Sequence, residues 1–398
     1  MEALLVVGLL VAVFVGYNIG GANTAPAFGP AVGADIIPKA GAGLLMTVFF
    51  FVGGWTLGRE VVETLGGEIV PAELFTTQAS IIVLFFIGLA LFISNFFGVP
   101  ASTSMTAVGS IAGLGLATGN LNWVVMGQIV SWWVVAPIVA FWVSGVIGRY
   151  LYPYLNQWVA IAGTEGGPFR IERSGRIPTV RLAEGTTRRE LTGTLLLVAI
   201  GCFMAFSSGA SNVANAVGPL FGSGAITMNV GILLASAAVG LGAFTIARRT
   251  LDTMGNDLTQ LPLTAAIVVA VVSSTLTAGL AAIGVPASFV IIATMSIVGL
   301  GWGRATRTTT ARDAVRGEGE GANVSVGALA ADDAATVGST DTDGASARPM
   351  GEESPEDIPA ASDLFDPETT GRVILMQNVV PAVATIGAFL VFRFTLVA

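Results

Sequence analysis

The chain has 398 residues, of which 53% are hydrophobic and 11% charged, with a formal net charge of −8. Soluble domains carry about 25% charged residues, and several apolar runs here approach or exceed the roughly 20 residues that cross a bilayer as a helix. A soluble enzyme is thereby excluded, and the chain reads as an all-α polytopic membrane protein. The single cysteine, Cys202, rules out an intrachain disulfide, and the absence of histidine removes the side chain best suited to proton relay near neutral pH.

In chain order, the predicted spans are 3–19, 40–58, 78–97, 121–147, 191–208, 228–247, 261–283 and 373–395. Two further apolar stretches, 99–118 and 285–302, open on Gly, Pro, Ser and Thr, which gives about 10 membrane segments. The N-terminus places Glu2 where a signal peptide would carry basic residues, so it reads as the first span. Lys39 is the only lysine. Acid-rich, lysine-poor polar segments suit a halophilic source.

Two connections are long. The first, 153–190, carries Arg170, Arg173, Arg176, Arg181, Arg188 and Arg189. The second, 303–371, opens with Arg304, Arg307, Arg312 and Arg316, then turns into acidic Ala/Gly/Thr sequence. It has too few large apolar side chains to offset its chain entropy and is predicted to be disordered. Basic loops stay cytoplasmic, and counting spans from there puts every basic cluster on one face and both termini outside. The predicted organisation is a first transmembrane repeat (1–152), a basic cytoplasmic loop (153–190), a second repeat (191–302), the acidic cytoplasmic segment (303–371) and a C-terminal transmembrane helix (372–398).

The word repeat rests on two motif pairs. Residues 20–30 read GGANTAPAFGP and 209–219 read GASNVANAVGP. Ungapped, they share Gly20/Gly209, Asn23/Asn212, Ala25/Ala214, Ala27/Ala216, Gly29/Gly218 and Pro30/Pro219. Gly98-Val99-Pro100-Ala101-Ser102 recurs as Gly284-Val285-Pro286-Ala287-Ser288 at nearly the same spacing. Span 3–19 runs inward and 191–208 outward, so the halves have opposite topology. Inverted repeats with Gly/Pro-interrupted segments in matching places point to a secondary transporter with a midplane site.

The spans around these motifs hold no Lys, Arg, Asp or Glu. If the substrate is an anion, its donors are backbone N–H groups and neutral side chains. A helix starting within the membrane exposes about four unpaired N–H groups and a partial positive charge. Pro100 followed by Ser102, Thr103 and Ser104 looks like one such start, and Pro286 to Ser288 its partner. Phe289 and Val290 replace the second and third hydroxyl residues there, so the site should be asymmetric. The Gly-rich stretches 20–23 and 207–212 are expected to be irregular backbone lining a cavity, although Gly and Ser also serve close helix packing. Asn23, Asn212 and Asn215 read as functional, because a carboxamide in the membrane needs partners. Asn18 and Gln128 read as packing or interfacial, Asn95 is left open, and Ser273, Ser274 and Thr275 are weighed evenly between packing and function.

These motifs resemble the inorganic phosphate transporter family, which carries a Gly-Ala-Asn-Asp-Val-Ala-Asn-Ala-x-Gly-Pro signature in both halves. Ala214 to Leu220 match it residue by residue. The resemblance implies secondary transport of inorganic phosphate by a dimer with inverted repeats, coupled to sodium or protons. Two departures stand out. The signature aspartates are Asn23 and Asn212 here, while Pro26 and Ser211 replace signature asparagines. That pattern is closer to the sulfate permease branch of the family.

At neutral pH phosphate carries a proton and sulfate does not. A carboxylate accepts a hydrogen bond from phosphate and repels sulfate, so its loss opens the site to sulfate, while an Asn carbonyl can still accept from phosphate. The candidate substrate residues are Asn23, Thr24, Ser102, Thr103, Ser104, Ser211, Asn212, Asn215 and Ser288. Asn23, Asn212 and Ser208 are candidates for a coupling cation, for which Na⁺ suits neutral oxygens and a proton relay finds no ionisable group. No cofactor, catalytic residue, resident metal or nucleic-acid partner is expected; lipid is. A channel or non-transporting receptor is the alternative class.

Overall fold

The computed structural model describes residues 2–33, 36–97, 102–159, 169–172, 179–182, 188–247, 263–305 and 367–396. Its helices are α1 (Glu2–Gly33), α2 (Lys39–Thr56), α3 (Gly58–Glu63), α4 (Thr77–Phe97), α5 (Thr103–Thr118), α6 (Trp123–Val146), α7 (Tyr152–Val159), α8 (Arg188–Gly222), α9 (Met228–Phe244), α10 (Leu263–Ala282), α11 (Phe289–Ala305) and α12 (Pro367–Leu396). Single π-helical turns at Thr64–Glu68 and Ile147–Leu151 extend α3 and α6. Within the basic loop, β1 (Phe169–Glu172) pairs antiparallel with β2 (Thr179–Leu182), a small exception to the all-helical reading. Seven helices of the described residues are long and apolar enough to cross a membrane, and α9 and α11 are shorter apolar helices. Most of the segment predicted to be disordered, 306–366, lies outside the described residues; its ends belong to α11 and α12.

The largest departure from the sequence reading concerns the glycine motifs. Residues 20–23 and 207–212 are not breaks: α1 and α8 run through them as continuous helix. The glycines act as packing notches instead. A Cβ on Gly20 would fall on the carbonyl oxygen of Val239 in α9, and one on Gly209 on that of Phe50 in α2. The notches are reciprocal, since Gly242 faces the carbonyl of Tyr17 and Gly53 that of Phe206. Without a hydrophobic drive between helices in lipid, close backbone approach of this kind is what holds them. The helical backbone keeps its own hydrogen bonds, which irregular segments in lipid would forfeit.

Packing partners come in exchange pairs. α1 packs on α9 and α8 on α2; α5 packs on α12 and α11 on α6; α1 packs on α4 and α8 on α10. Swapping first-half for second-half helices converts each contact into another member of the set. α6 and α11 are notched as well, with Gly299 against the carbonyl of Phe141 and Gly303 against that of Gly145. A hydrogen bond of 2.6 Å between the hydroxyls of Ser144 and Ser296 adds to that contact. The core of buried aliphatic and aromatic residues is centred on α1, α2, α4, α5, α8 and α9, and Cys202 packs within it.

Charge sits at the ends of the apolar helices. Arg393, within the predicted span 373–395, is exposed in the last turn of α12. Arg59, just past α2, donates to Asn229 Oδ1 at 2.6 Å and lies over the Trp55 ring at 4.6 Å. Its stem follows apolar surface while its head finds partners, the habit of arginine near a membrane boundary.

The notches give a direct stability test. Gly209→Val is expected to lower the melting temperature of the purified protein by several degrees or abolish folding, because its Cβ meets a backbone carbonyl that cannot yield. Gly127→Ala in α6, with nothing within 4 Å of the added carbon, should be neutral or mildly stabilising, since alanine favours helix by about 1 kcal/mol over glycine. Differential scanning fluorimetry of both variants checks the contrast.

Candidate anion site at two buried helix starts

Sequence dictates both helix starts. Ser102 is extended (φ −74°, ψ 105°) and caps α5, its hydroxyl accepting from the Met105 N–H at 3.2 Å. This is the usual work of serine before a first turn. In the second half, α10 ends in a left-handed turn at Gly284 (φ 74°), and residues 285–288 run non-helically into α11. Ser288 Oγ accepts from the Ile291 N–H at 3.5 Å. Here the expected helix break is present, and only glycine tolerates that backbone cheaply.

α8 lies between these starts. Ser208, Ser211, Asn212 and Asn215 share a face, being three or four residues apart. The Ser211 hydroxyl donates to the Ala287 carbonyl at 3.0 Å and lies 3.4 Å from Ser104 Oγ, so one side chain touches both starts. Asn215 Nδ2 donates to Asn212 Oδ1 at 3.1 Å and to Ser104 Oγ at 3.4 Å. Asn212 Nδ2 donates to the Ser208 carbonyl at 3.0 Å, with Ser208 Oγ at 3.4 Å. Ser102, Thr103, Ser104, Ser211, Asn212, Asn215 and Ser288 are all buried. Ser104, Ser208, Ser211, Asn212 and Asn215 therefore form one bonded cluster, while Ser102 and Ser288 cap their own helices. Among the described residues, no group of His, Cys, Asp or Glu is placed to hold a metal ion.

The first-half motif is not brought into that cluster. α1 and α8 run antiparallel, since Gly8 faces Leu220 and Gly201 faces Ala27 and Phe28. Asn23 thus sits beside the turn of α8 that holds Phe206, roughly 9 Å along the helix from Asn212 at 1.5 Å per residue. Thr24 spends its hydroxyl on the Gly20 carbonyl at 2.6 Å. Asn18 and Asn95 bond each other, with Asn95 Nδ2 3.1 Å from both Asn18 oxygens. Gln128 is exposed.

Several polar atoms remain without partners inside the bundle: Asn215 Oδ1, Asn23 Nδ2, Ser207 Oγ, Ser274 Oγ and Thr277 Oγ1. Each unsatisfied buried group costs about 1–3 kcal/mol, and of these five Asn215 Oδ1 belongs to the cluster above. An apolar cavity of about 200 Å³ lies between α1, α8, α10 and α11, and none of these five residues lines it. Ser207 and Thr277 were missed by sequence reasoning, because hydroxyls in membrane helices usually bond the preceding turn, as Ser273 does to Val269 at 2.6 Å.

Trp133 was missed entirely, and nothing in the sequence around it signals a role. Its Nε1 donates to the Pro286 carbonyl at 2.8 Å. Trp133 and Ser211 thus hold the two consecutive carbonyls that precede the α11 start. Trp133→Phe keeps the ring and removes the donor. The expected result is a several-fold rise in the substrate concentration for half-maximal uptake with little change in protein yield, read from uptake kinetics in proteoliposomes.

Uncharged polar groups gathered at helix starts inside a polytopic bundle define a membrane transport protein. The match to known proteins gives the family: residues 19–327 fit the model of the phosphate transporter family, and the chain belongs to it. It is a multi-pass membrane transporter, not an enzyme. It is 31% identical over 294 residues to the sulfate permease CysP of Bacillus subtilis (strain 168), covering 74% of this chain and 76% of that one. A sodium-dependent phosphate transporter of Toxoplasma gondii (strain ATCC 50861 / VEG) is 33% identical over 119 residues, covering 28% of this chain and 14% of that one. A solved structure, the sodium-dependent phosphate transporter, superposes with a TM-score of 0.66 over 99% of both chains at 16% identity, a likeness of fold.

Proposed function

We propose that the protein is a secondary active transporter of inorganic phosphate, coupled to Na⁺ and working by alternating access. The observation that carries the phosphate reading is Asn215 Oδ1, a buried acceptor without a partner at the centre of the cluster. Its own amide nitrogen is already committed to Asn212 and Ser104. Hydrogenphosphate brings a proton that can satisfy this oxygen, and sulfate brings none. Ser104, Thr103 and the first N–H groups of α5 and α11 supply donors to the remaining anion oxygens, with the helix dipoles favouring negative charge. Asn212 and Ser208 offer neutral oxygens to Na⁺, a hard cation that prefers them; Asn23, roughly 9 Å away along the helix at 1.5 Å per residue, lies outside that pair.

Sulfate is the second reading. It is favoured by the absence of a carboxylate at Asn212 and by the similarity to a sulfate permease. The exchange pairs of helices support two inverted repeats related by an axis in the membrane plane; the arginine-rich loops support a cytoplasmic face for those loops and, by span counting, both termini outside, and the family resemblance supports two copies in the working assembly.

Uptake of labelled phosphate and sulfate into proteoliposomes tests this, each competed by the other, with and without a sodium gradient. Phosphate entry driven by inward sodium, with sulfate a weak competitor, is the expected result. Sulfate blocking phosphate entry, but not the reverse, would replace phosphate by sulfate. Deleting residues 320–365 should leave uptake within about twofold of the intact chain; its loss would favour a receptor or signalling role for the acidic segment.

A further inference from the structure

The two helix starts are flanked by equivalent helices. A Cβ on Gly113 of α5 would fall on the Thr385 carbonyl of α12, and one on Gly299 of α11 on the Phe141 carbonyl of α6. Each flanking helix carries a proline one turn before that carbonyl, Pro381 in α12 and Pro137 in α6. One turn earlier again stand Gln377 and Trp133, so these two side chains occupy matching places. Trp133 donates from Nε1 to the Pro286 carbonyl, just before the α11 start, at 2.8 Å. Gln377 is 5% exposed, and its Nε2 has no partner.

The level of Gln377 is fixed from two sides. α12 runs alongside α5 in the same direction, since Gly109 meets Pro381 and Thr385, and Gly113 meets Thr385 and Phe389. One turn before Pro381, Gln377 is therefore level with Met105, in the first turn of α5. α12 crosses α4 in the opposite sense: Gly387 meets Phe86, while Val380 and Ala384 pack with Ala90. That register brings Gln377 to the last turn of α4, where the chain turns towards the α5 start.

We propose that Gln377 is a substrate-binding residue, donating from Nε2 to the oxyanion at the start of α5. The proposal rests on the transport reading above and adds a donor from the other side of the helix. Ser104 faces α8, whereas Gly109 and Gly113 face α12. An anion at the helix end lies on its axis, between the two. The first N–H groups of a helix attract negative charge, and no Lys or Arg in the surrounding spans assists them. A buried amide without a partner destabilises the fold, and an oxyanion, with acceptors on every side, removes that cost on arrival. A donor serves phosphate and sulfate alike, so Gln377 adds affinity without selectivity, unlike the acceptor on Asn215.

The test compares Gln377→Leu and Gln377→Met with the unmodified chain in proteoliposomes, by uptake kinetics of labelled phosphate and labelled sulfate. The melting temperature of each purified protein is measured alongside. Both variants keep most of the side-chain bulk and remove the amide. The half-maximal concentration should rise about tenfold for each anion the chain carries, since a hydrogen bond to a charged group is worth that much or more. The melting temperature should hold or rise, because an unpaired polar atom has gone. Lost affinity without lost stability is a result that a purely structural glutamine would not give. Unchanged half-maximal concentrations in both variants overturn the proposal and leave the transport reading standing. A loss confined to one of two carried anions overturns it as well. An unmodified chain that carries neither anion sinks the transport reading and this proposal with it.

Discussion

Replacing Asn215 by leucine is expected to cut phosphate uptake by at least about a hundredfold while moving the melting temperature by only a few degrees. The two effects separate because Asn215 is a poor stabiliser as it stands. Its Oδ1 is buried without a partner, a state that costs about 1–3 kcal/mol. Leucine has similar volume and removes that penalty along with the bonds from Nδ2 to Asn212 Oδ1 and Ser104 Oγ. Loss and gain are of similar size, so stability changes little. For the anion, the loss is one-sided. A site built to bond a substrate hydroxyl discriminates by about 10⁴-fold when that pairing is broken, and a hundredfold is the conservative part of that range. Uptake near the wild-type rate would show that Asn215 packs the bundle and does nothing to phosphate. A collapse of the melting temperature would show that its two modest hydrogen bonds matter more than the geometry implies.

The second large effect concerns selectivity. Asn212→Asp should raise the preference for phosphate over sulfate by on the order of 100-fold, measured as the ratio of uptake rates at equal low concentrations. Asn212 Oδ1 already accepts from Asn215 Nδ2, and its Nδ2 reaches the Ser208 carbonyl. A carboxylate in its place keeps the acceptor and loses the donor. It adds a negative charge that sulfate cannot meet with a proton, whereas hydrogenphosphate can. Two anions a few ångströms apart in a low-dielectric interior repel strongly, so the penalty falls mainly on sulfate. Sodium affinity should rise in the same variant if Asn212 contributes to a cation site. An unchanged uptake ratio would reject the proton-acceptor argument. Asn212→Ala, which removes both groups without adding charge, should weaken both anions together and serves as the control.

How much of this was legible beforehand differs by residue. The helix starts at Ser102 and Ser288 were readable because capping is local: a serine in extended conformation bonds an N–H three residues on, and Pro and Gly nearby announce the change of backbone. The α8 face was readable because Ser208, Ser211, Asn212 and Asn215 follow helical spacing. The misreading of Gly20 and Gly209 has an equally physical origin. Within one chain segment, glycine reads as a licence to bend; whether it bends or admits a neighbour depends on Val239 and Phe50, each on another helix. Trp133 lies beyond reach for the same reason, since its partner carbonyl is at Pro286, a contact that no local pattern encodes. Asn23 and Asn212 match in the alignment, yet antiparallel crossing of α1 and α8 sets them at different depths. Equivalence in sequence became opposition in space.

The reciprocal glycine notches restrict how the molecule can move. When each helix of a pair admits the other's carbonyl, neither can spin or slide without driving a main-chain oxygen into a Cα. α1 with α9, and α8 with α2, are therefore clasped couples, and the same holds for α6 with α11. α1, α2, α8 and α9 share one core while α6 and α11 contribute to a second, so any change in which side of the membrane reaches the site displaces the α6–α11 couple as a slab against the other two, across the seam that the Ser211 hydroxyl bridges. Slab motion of this kind makes the seams between couples, more than the helices themselves, the place where a disulfide or a bulky side chain would arrest the cycle.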